Sequence, residues 1–324
     1  MDWLQLSAVR YCPLPRGVKL RGRTSTTSVT SQEWYLLFKE NMRTRRLALA
    51  LAIAGGAAPA GAQWLNYPAP GTPLKKDGKV DLTAKAPRAL NRKPDLSGVW
   101  RIEPPKPGEI ERLYHPSEVN AVAGDDWRDF DRHFFNLFID FKEGESPLRP
   151  EAVAQTERIR QDPLALPSAR CLPLGFLTRY FHFRPFKIFQ AQQEIVMYFE
   201  VDGVFRQIHT DGRKLPESPF PSWMGFSTGK WEGDSLVVDT AGFNDQFRLD
   251  ASGHPNSELL RVREVFRRRD FGHMDMEATV EDPVVLTRPV NVKFSLQLIP
   301  NSDILENFCA EGERDQLFTR RQVK

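Results

Sequence analysis

From residue 185 onward, apolar and polar side chains alternate with a period of two, the spacing of strands that bury one face. Val290, Val292, Phe294, Leu296 and Leu298 fall on one side, with Asn291, Lys293, Ser295 and Gln297 opposite. Met274, Met276, Ala278 and Val280 oppose Asp275, Glu277, Thr279 and Glu281 in the same way, and Val262 and Phe266 share a face with Glu264. Turn formers punctuate these runs. Asp202-Gly203 separates 195–201 from 204–210, Glu232-Gly233-Asp234 separates 223–231 from 235–240, and Asp270-Phe271-Gly272 separates 259–268 from 273–280. Pro300-Asn301-Ser302-Asp303 separates 290–299 from 304–309. Such turns between alternating runs signal hairpins. With further strands near Trp100 and Lys187, the pattern predicts a mainly β domain built as an antiparallel meander. A meander leaves two open edges, so it is expected to close into a lipocalin-like barrel or to curve strongly.

The period changes between Tyr114 and Gln161. Trp127, Phe130, Phe134, Leu137, Phe138 and Phe141 recur at three- and four-residue spacing, which predicts an amphipathic helix packed on the sheet. Pro150 occupies the favoured first turn of a second helix running through Arg160. One or two helices thus form an insertion at about 115–161 of a single domain spanning 94–324. Residues 63–93 are rich in Pro, Gly, Lys and Ala and read as a linker or surface arm.

Residues 42–62, MRTRRLALALAIAGGAAPAGA, have the parts of a secretory signal peptide: basic Arg43, Arg45 and Arg46, a short apolar run, and an A-x-A site ending at Ala62. Cleavage near Ala62 implies a periplasmic or secreted chain. The apolar run falls short of the about 20 residues of a membrane span, so no stable insertion is expected. Residues 1–41 read as an over-long start rather than a domain. The leading 62 residues also hold the positive charge. The whole chain is formally +3, but residues 63–324 carry 36 Lys and Arg against 39 Asp and Glu. That balance argues against nucleic acid as a partner, because such binding needs clustered cations. Two cysteines follow the signal, Cys171 and Cys309, and an oxidising compartment offers them a disulfide worth ~4–5 kcal/mol, or leaves two buried thiols. The six histidines show no metal-ligand spacing, and no phosphate-binding glycine loop is present, so neither a metal nor an organic cofactor is expected.

Candidate chemistry is scattered along the strands. Gly225-Phe226-Ser227-Thr228-Gly229 spells the G-x-S-x-G of a hydrolase nucleophile, but strand, turn and strand follow it where that elbow requires a helix. Ser227 is therefore read as a small strand residue sharing a face with Trp223 and Trp231, where it could line a ligand. His209 and Asp211 lie two apart and could form an oriented general base, or Asp211 could pair with Arg213 in an Asp-Gly turn. Glu264 and Glu306 sit on apolar faces, as a proton-transferring pair or as parts of structural ion pairs. Asp239, Asn244 and His254 belong to polar loops suited to a barrel mouth, or to ordinary turns.

The ordered motifs R-C-L-P-L-G (170–175), W-M-G-F-S-T-G-K-W-E-G-D-S-L-V-V-D-T (223–240), H-P-N-S-E-L-L-R-V-R-E-V-F-R-R (254–268) and E-N-F-C (306–309) resemble those of a family of exported bacterial proteins common in acidobacteria and some proteobacteria. The resemblance covers residues 94 to 324. It implies an exported β-rich domain and assigns no catalytic residue. Two functions remain in view. One is a cofactor-free acid–base enzyme (lyase, hydratase, isomerase or hydrolase) acting on a small apolar or aromatic substrate through His209, Asp211, Glu264 and Glu306. The alternative is a carrier holding an apolar ligand against Trp223, Trp231 and Phe205 without catalysis.

Overall fold

A computed structural model describes residues 69–307 and 309, apart from 116–118, 120–123, 143 and 163–164. The export signal and the residues before it lie outside the described residues. Nine strands form one closed barrel. In chain order they are β1 (Gly98–Ile102), β2 (Phe186–Gln190), β3 (Glu194–Phe199), β4 (Phe205–His209), β5 (Phe226–Glu232), β6 (Ser235–Ala241), β7 (Arg261–Arg268), β8 (His273–Glu281) and β9 (Val290–Leu298). The alternation produces this directly: Met274, Met276, Ala278 and Val280 on β8 and Val290, Val292, Leu296 and Leu298 on β9 are buried inward. The β3–β4 turn shows why Asp-Gly stands there. Asp202 and Gly203 both take positive φ, at 64° and 59°, and this left-handed pair suits the twist of a tight hairpin.

Two features depart from the expected meander. Residues 304–307 form no strand, so β9 does not pair forward. Its edge is taken instead by β1, with Trp100 opposite Leu298 and Ile102 opposite Leu296, and this closes the barrel. The second departure is one parallel pair. β4 and β5 run in the same direction and meet only at Ile208–Ser227 and His209–Thr228. Residues 210–225 cross back along the outside, and Gly225, at φ 63°, turns the chain into β5 where a Cβ would meet Ala241 O at 2.8 Å.

The aromatic stripe forms no continuous helix. A 3-10 turn (Gly124–Asp129) precedes the one-turn α2 (Arg132–Phe135). The short α1 (Glu109–Leu113) lies upstream, and only α3 (Pro150–Gln161), opened by Pro150, has regular length. Side chains of Asp and Asn compete for the backbone here. Asp131 caps His133 N at 2.9 Å, Asn136 takes Phe138 N at 2.9 Å, and Asp250 takes Leu137 N at 2.7 Å. Trp127, Phe130, Phe134, Leu137 and Phe138 are nevertheless all buried, so the apolar spacing serves packing without a helix.

Residues 69–93 lie across the barrel end as a docked arm. Phe271 N and Gly272 N donate to Ala84 O and Leu82 O at 2.7 Å each, and Arg88 forks onto Asp234 at 2.8 and 2.6 Å. Among the described residues no helix is long and apolar enough to cross a membrane. Cys171 and Cys309 form a disulfide across 138 positions, with Cα atoms 5.4 Å apart, in keeping with an oxidising compartment. Closing so long a loop constrains the unfolded chain by about 5 kcal/mol on the chain-entropy account. Urea unfolding of Cys171→Ser/Cys309→Ser should show a loss of several kcal/mol, and an unchanged midpoint would deny the bond any part in stability.

Candidate functional site

The barrel interior, where sequence places Glu264 and Ser227, is occupied by protein. Glu264 on β7 is fully buried and paired with Arg206 on β4, through Nη1–Oε1 at 3.0 Å and Nη2–Oε2 at 2.5 Å. The remaining donors of Arg206 are also used: Nε reaches Ser227 Oγ at 3.0 Å, Nη1 reaches Tyr180 Oη at 2.8 Å and Nη2 reaches Thr240 Oγ1 at 2.8 Å. All five N–H groups of the guanidinium thus have acceptors, and the Phe176 ring stacks 4.6 Å beneath it. Burial opposes the charge on Arg206, but Glu264 and the hydrogen bonds raise its pKa above the ordinary value. Burial and the charge of Glu264 raise the pKa of Tyr180, which stays a neutral phenol. Ser227 Oγ lies 2.9 Å from Thr240 Oγ1, on a strand that continues through Glu232. No base faces it. This network is satisfied and closed, with both Glu264 oxygens held by Arg206.

The other expected residues do not converge. His209 faces outward, its Nδ1 3.7 Å from Glu194 and its ring against Phe226, while Asp211 is gripped by Arg213 at 2.6 Å in an exposed turn. The hydrogen bonds of Arg213 hold the Asp211 carboxyl down at about 2. The two form no oriented pair. Glu306 is exposed in the coil after β9, because the strand that would have turned it inward is not formed. Asp239 lies on the outer wall, 3.0 Å from Arg263, and Trp231 borders the same groove. Trp223 packs toward Phe247, and Phe205 is exposed. Asn244 is buried as a loop brace, its carbonyl taking Asn256 Nδ2 at 2.6 Å. Two other concavities, of about 690 and 660 Å³, are open grooves without aromatic walls; in them Asp239 pairs with Arg263, and Arg149 donates to main chain.

A smaller cavity of about 300 Å³ has a different chemistry. It opens between the segment around Cys171, residues 166–184, and the loop 248–251. One wall is aromatic. The His182 ring lies 4.6 Å from Phe130 and 5.7 Å from Phe134, both edge-on, and stacks on Phe183 at 4.7 Å. His182 Nδ1 accepts from Arg184 N at 3.0 Å, so the proton of the neutral ring sits on Nε2. Burial, then the charges of Arg184 and Arg179, push the His182 pKa down to about 3. The opposite wall carries Arg248 and Asp250. Arg248 donates through Nη1 to Phe247 O at 2.7 Å, while its Nε is buried without a hydrogen-bond partner. Burial lowers the pKa of Arg248, and Arg170 adds to that effect. Asp250 is occupied by Leu137 N and by His254 Nδ1, the latter at 2.5 Å. His254, expected as a ligand residue, thus stands behind this cavity with its ring edge-on to Phe138.

Arg206, Arg248, His182 and Tyr180 were not singled out by sequence. For Arg206 a signal exists, since the run Val204 to Ile208 alternates and puts Arg206 on the inward face with Ile208. The others lie in segments without periodicity.

Two outcomes follow. Glu264→Gln should cost 3–5 kcal/mol in denaturant unfolding, because Arg206 is left buried and unpaired, whereas Arg206→Met/Glu264→Leu should cost less than the single change. Equal or additive losses would deny the pair its closed character. His182 is neutral in the folded chain with its pKa below the ordinary 6.5, so the unfolded chain binds the extra proton below pH 6.5. Stability should be full above that pH and fall as pH drops toward 3, and His182→Asn should flatten that fall relative to wild type in melts from pH 7 to 4. The chain finds no match among family models, curated proteins or solved structures.

Proposed function

We propose that the protein is an extracytoplasmic binding protein for a small, single-ring aromatic molecule, seated in the cavity between residues 166–184 and 248–251. The carrying observation is that this cavity sets an aromatic wall against Arg248, a lining cation whose hydrogen bonds go to main chain alone. The cavity, with polar and apolar lining in similar measure, has at about 300 Å³ the low end of the volumes of small-molecule sites. The closed interior supports placing the ligand here and not within the barrel. The disulfide beside the cavity supports an oxidising compartment, and the basic, apolar and A-x-A run at 42–62 supports export to the periplasm.

A second reading, acid–base catalysis, keeps one observation in its favour. Asp250 holds His254 Nδ1 at 2.5 Å, and His254 Nε2 has no hydrogen-bond partner among the described residues, which is the arrangement of an oriented base. Conversion of a bound compound by wild type and not by His254→Gln would select it.

Thermal melts of the full chain against a panel of single-ring aromatic compounds test the binding reading. A ligand at a hundred times its Kd should raise Tm by roughly 5–10 °C. Ser168→Trp, an exposed rim position, should abolish that rise while leaving the ligand-free Tm in place. A panel without any stabilising compound, or a rise untouched by the blocked rim, would overturn the assignment.

A further inference from the structure

We infer that the ligand of this cavity is an anion, specifically an aromatic carboxylate whose ring lies on the His182–Phe130–Phe134 wall and whose carboxylate meets Arg248. This rests on the binding reading above and adds the chemical class to it.

The argument begins with the inventory of charges that face the space. Arg184 is already paired with Glu200 at 3.1 Å, and Asp250 is held by His254 and by Leu137 N. His182 is neutral. Arg248 is the cation left over: its hydrogen bonds go to the main-chain carbonyls of Phe247 and Asp245, and no side-chain carboxylate lies within ion-pair distance of it among the described residues. A guanidinium that lines the space with no carboxylate partner is best met by a charged oxygen, which forms a stronger bond than a neutral one. Behind the wall stands a second cation of the same kind. Arg179 is fully buried, 3.7 Å from Asp202, with Nε and Nη1 both lacking hydrogen-bond partners. Arg179 lies just beneath the lining residues Leu174 and Thr178, and its Nη2 donates to Leu174 O. Its field reaches the cavity, because it acts on the His182 ring. Arg184 and Arg179 are thus matched by Glu200 and Asp202, while Arg248 is the lining cation that has main-chain hydrogen bonds alone and feels the charges of Asp245 and Arg170 only at longer range.

The neutral state of His182 completes the recognition. With Nδ1 accepting from the Arg184 amide, Nε2–H is a donor, so the aromatic wall presents a hydrogen bond donor and no free acceptor. An amine or a metal cation would meet the Arg248 guanidinium and find only Asp250, whose carboxylate is already taken by His254 and by Leu137 N. A ring bearing one carboxylate meets an edge-on aromatic surface and a guanidinium within a volume of about 300 Å³.

Calorimetry of the disulfide-bonded full chain with benzoate, benzamide and benzyl alcohol separates the outcomes. Benzoate should bind roughly ten- to a hundredfold tighter than either neutral analogue at low ionic strength, the range of a charge-assisted hydrogen bond. Arg248→Gln should collapse that preference to near one, and Arg248→Lys should restore part of it, with circular dichroism melts confirming that both variants fold. Should the three compounds bind alike, or should the preference survive in Arg248→Gln, the anion assignment is overturned while the cavity keeps its function. Should none of them bind, the binding reading falls with it.

Discussion

A guanidinium removed from water is tolerated only if its charge and all of its N–H groups are met, and Arg206 meets that demand at the centre of the barrel. Its partners come from three other strands and the plug: Ser227 from β5, Thr240 from β6, Glu264 from β7 and Tyr180 from the segment that fills the barrel end. The placement matters because β4 and β5 share only two residue pairs. The other seams are antiparallel, from three pairs at each side of β1 to eight between β7 and β8. At the weak parallel seam, side-chain bonds from Arg206 span the gap that main-chain bonds leave. A buried ion pair is a poor source of net stability compared with apolar packing, but it has one geometry, and so it specifies how the seam closes.

The same constraint decides where a ligand can go. Aromatic and aliphatic side chains pack around the network, with Phe176, Phe186, Phe199 and Tyr180 all fully buried against it or one another. A lipocalin-like outline therefore does not carry a lipocalin-like interior cavity here. Function moves to the loops that the rigid wall supports. The loop 248–251 is fixed by Thr178 Oγ1, which donates to Leu249 O at 2.9 Å, and by Ala251 N, which donates to Phe134 O at 2.8 Å. Gly175 lets the two walls come together, since a Cβ there would fall 1.9 Å from Arg248 O.

Much of the barrel was legible because period-two alternation and turn chemistry are local signals. Asp202-Gly203 announces its hairpin through the backbone it must adopt, and β8 and β9 announce their inner faces in every second residue. What was not legible depends on distant partners. The pairing of β9 with β1 rather than with 304–309 is a choice between two edges, and nothing near Val290 encodes it. The Trp127–Phe141 stripe has helical spacing, but Asp131 and Asn136 divert the backbone into caps and turns. Glu264 was visible as an acid on an apolar face, but its cation stands on β4, 58 positions away, where no local signal points to it. His254 was visible in a polar loop, but its partner Asp250 gains meaning only once Leu137 is brought against it. The aromatic cavity had only half a local mark. Phe130 and Phe134 belong to the stripe that the sequence shows, but His182, from a distant segment without periodicity, completes the wall.

One segment links the two halves of the molecule. Residues 176–182 send Phe176 and Tyr180 into the barrel toward Arg206, and turn Thr178 and His182 to the cavity. Arg179 lies between them, its guanidinium over Phe199 on one side and bonded to Leu174 O on the other. The disulfide at Cys171 anchors the start of this stretch, and Asp202, at the tip of the β3–β4 hairpin, accepts from Leu174 N at 2.7 Å. The cavity wall is thus the outer side of the plug. Its rings hold their positions because the inner side is fastened to a charge that has one way to be satisfied, and a change at Arg206 would reach the cavity through Tyr180 without touching any residue that lines it.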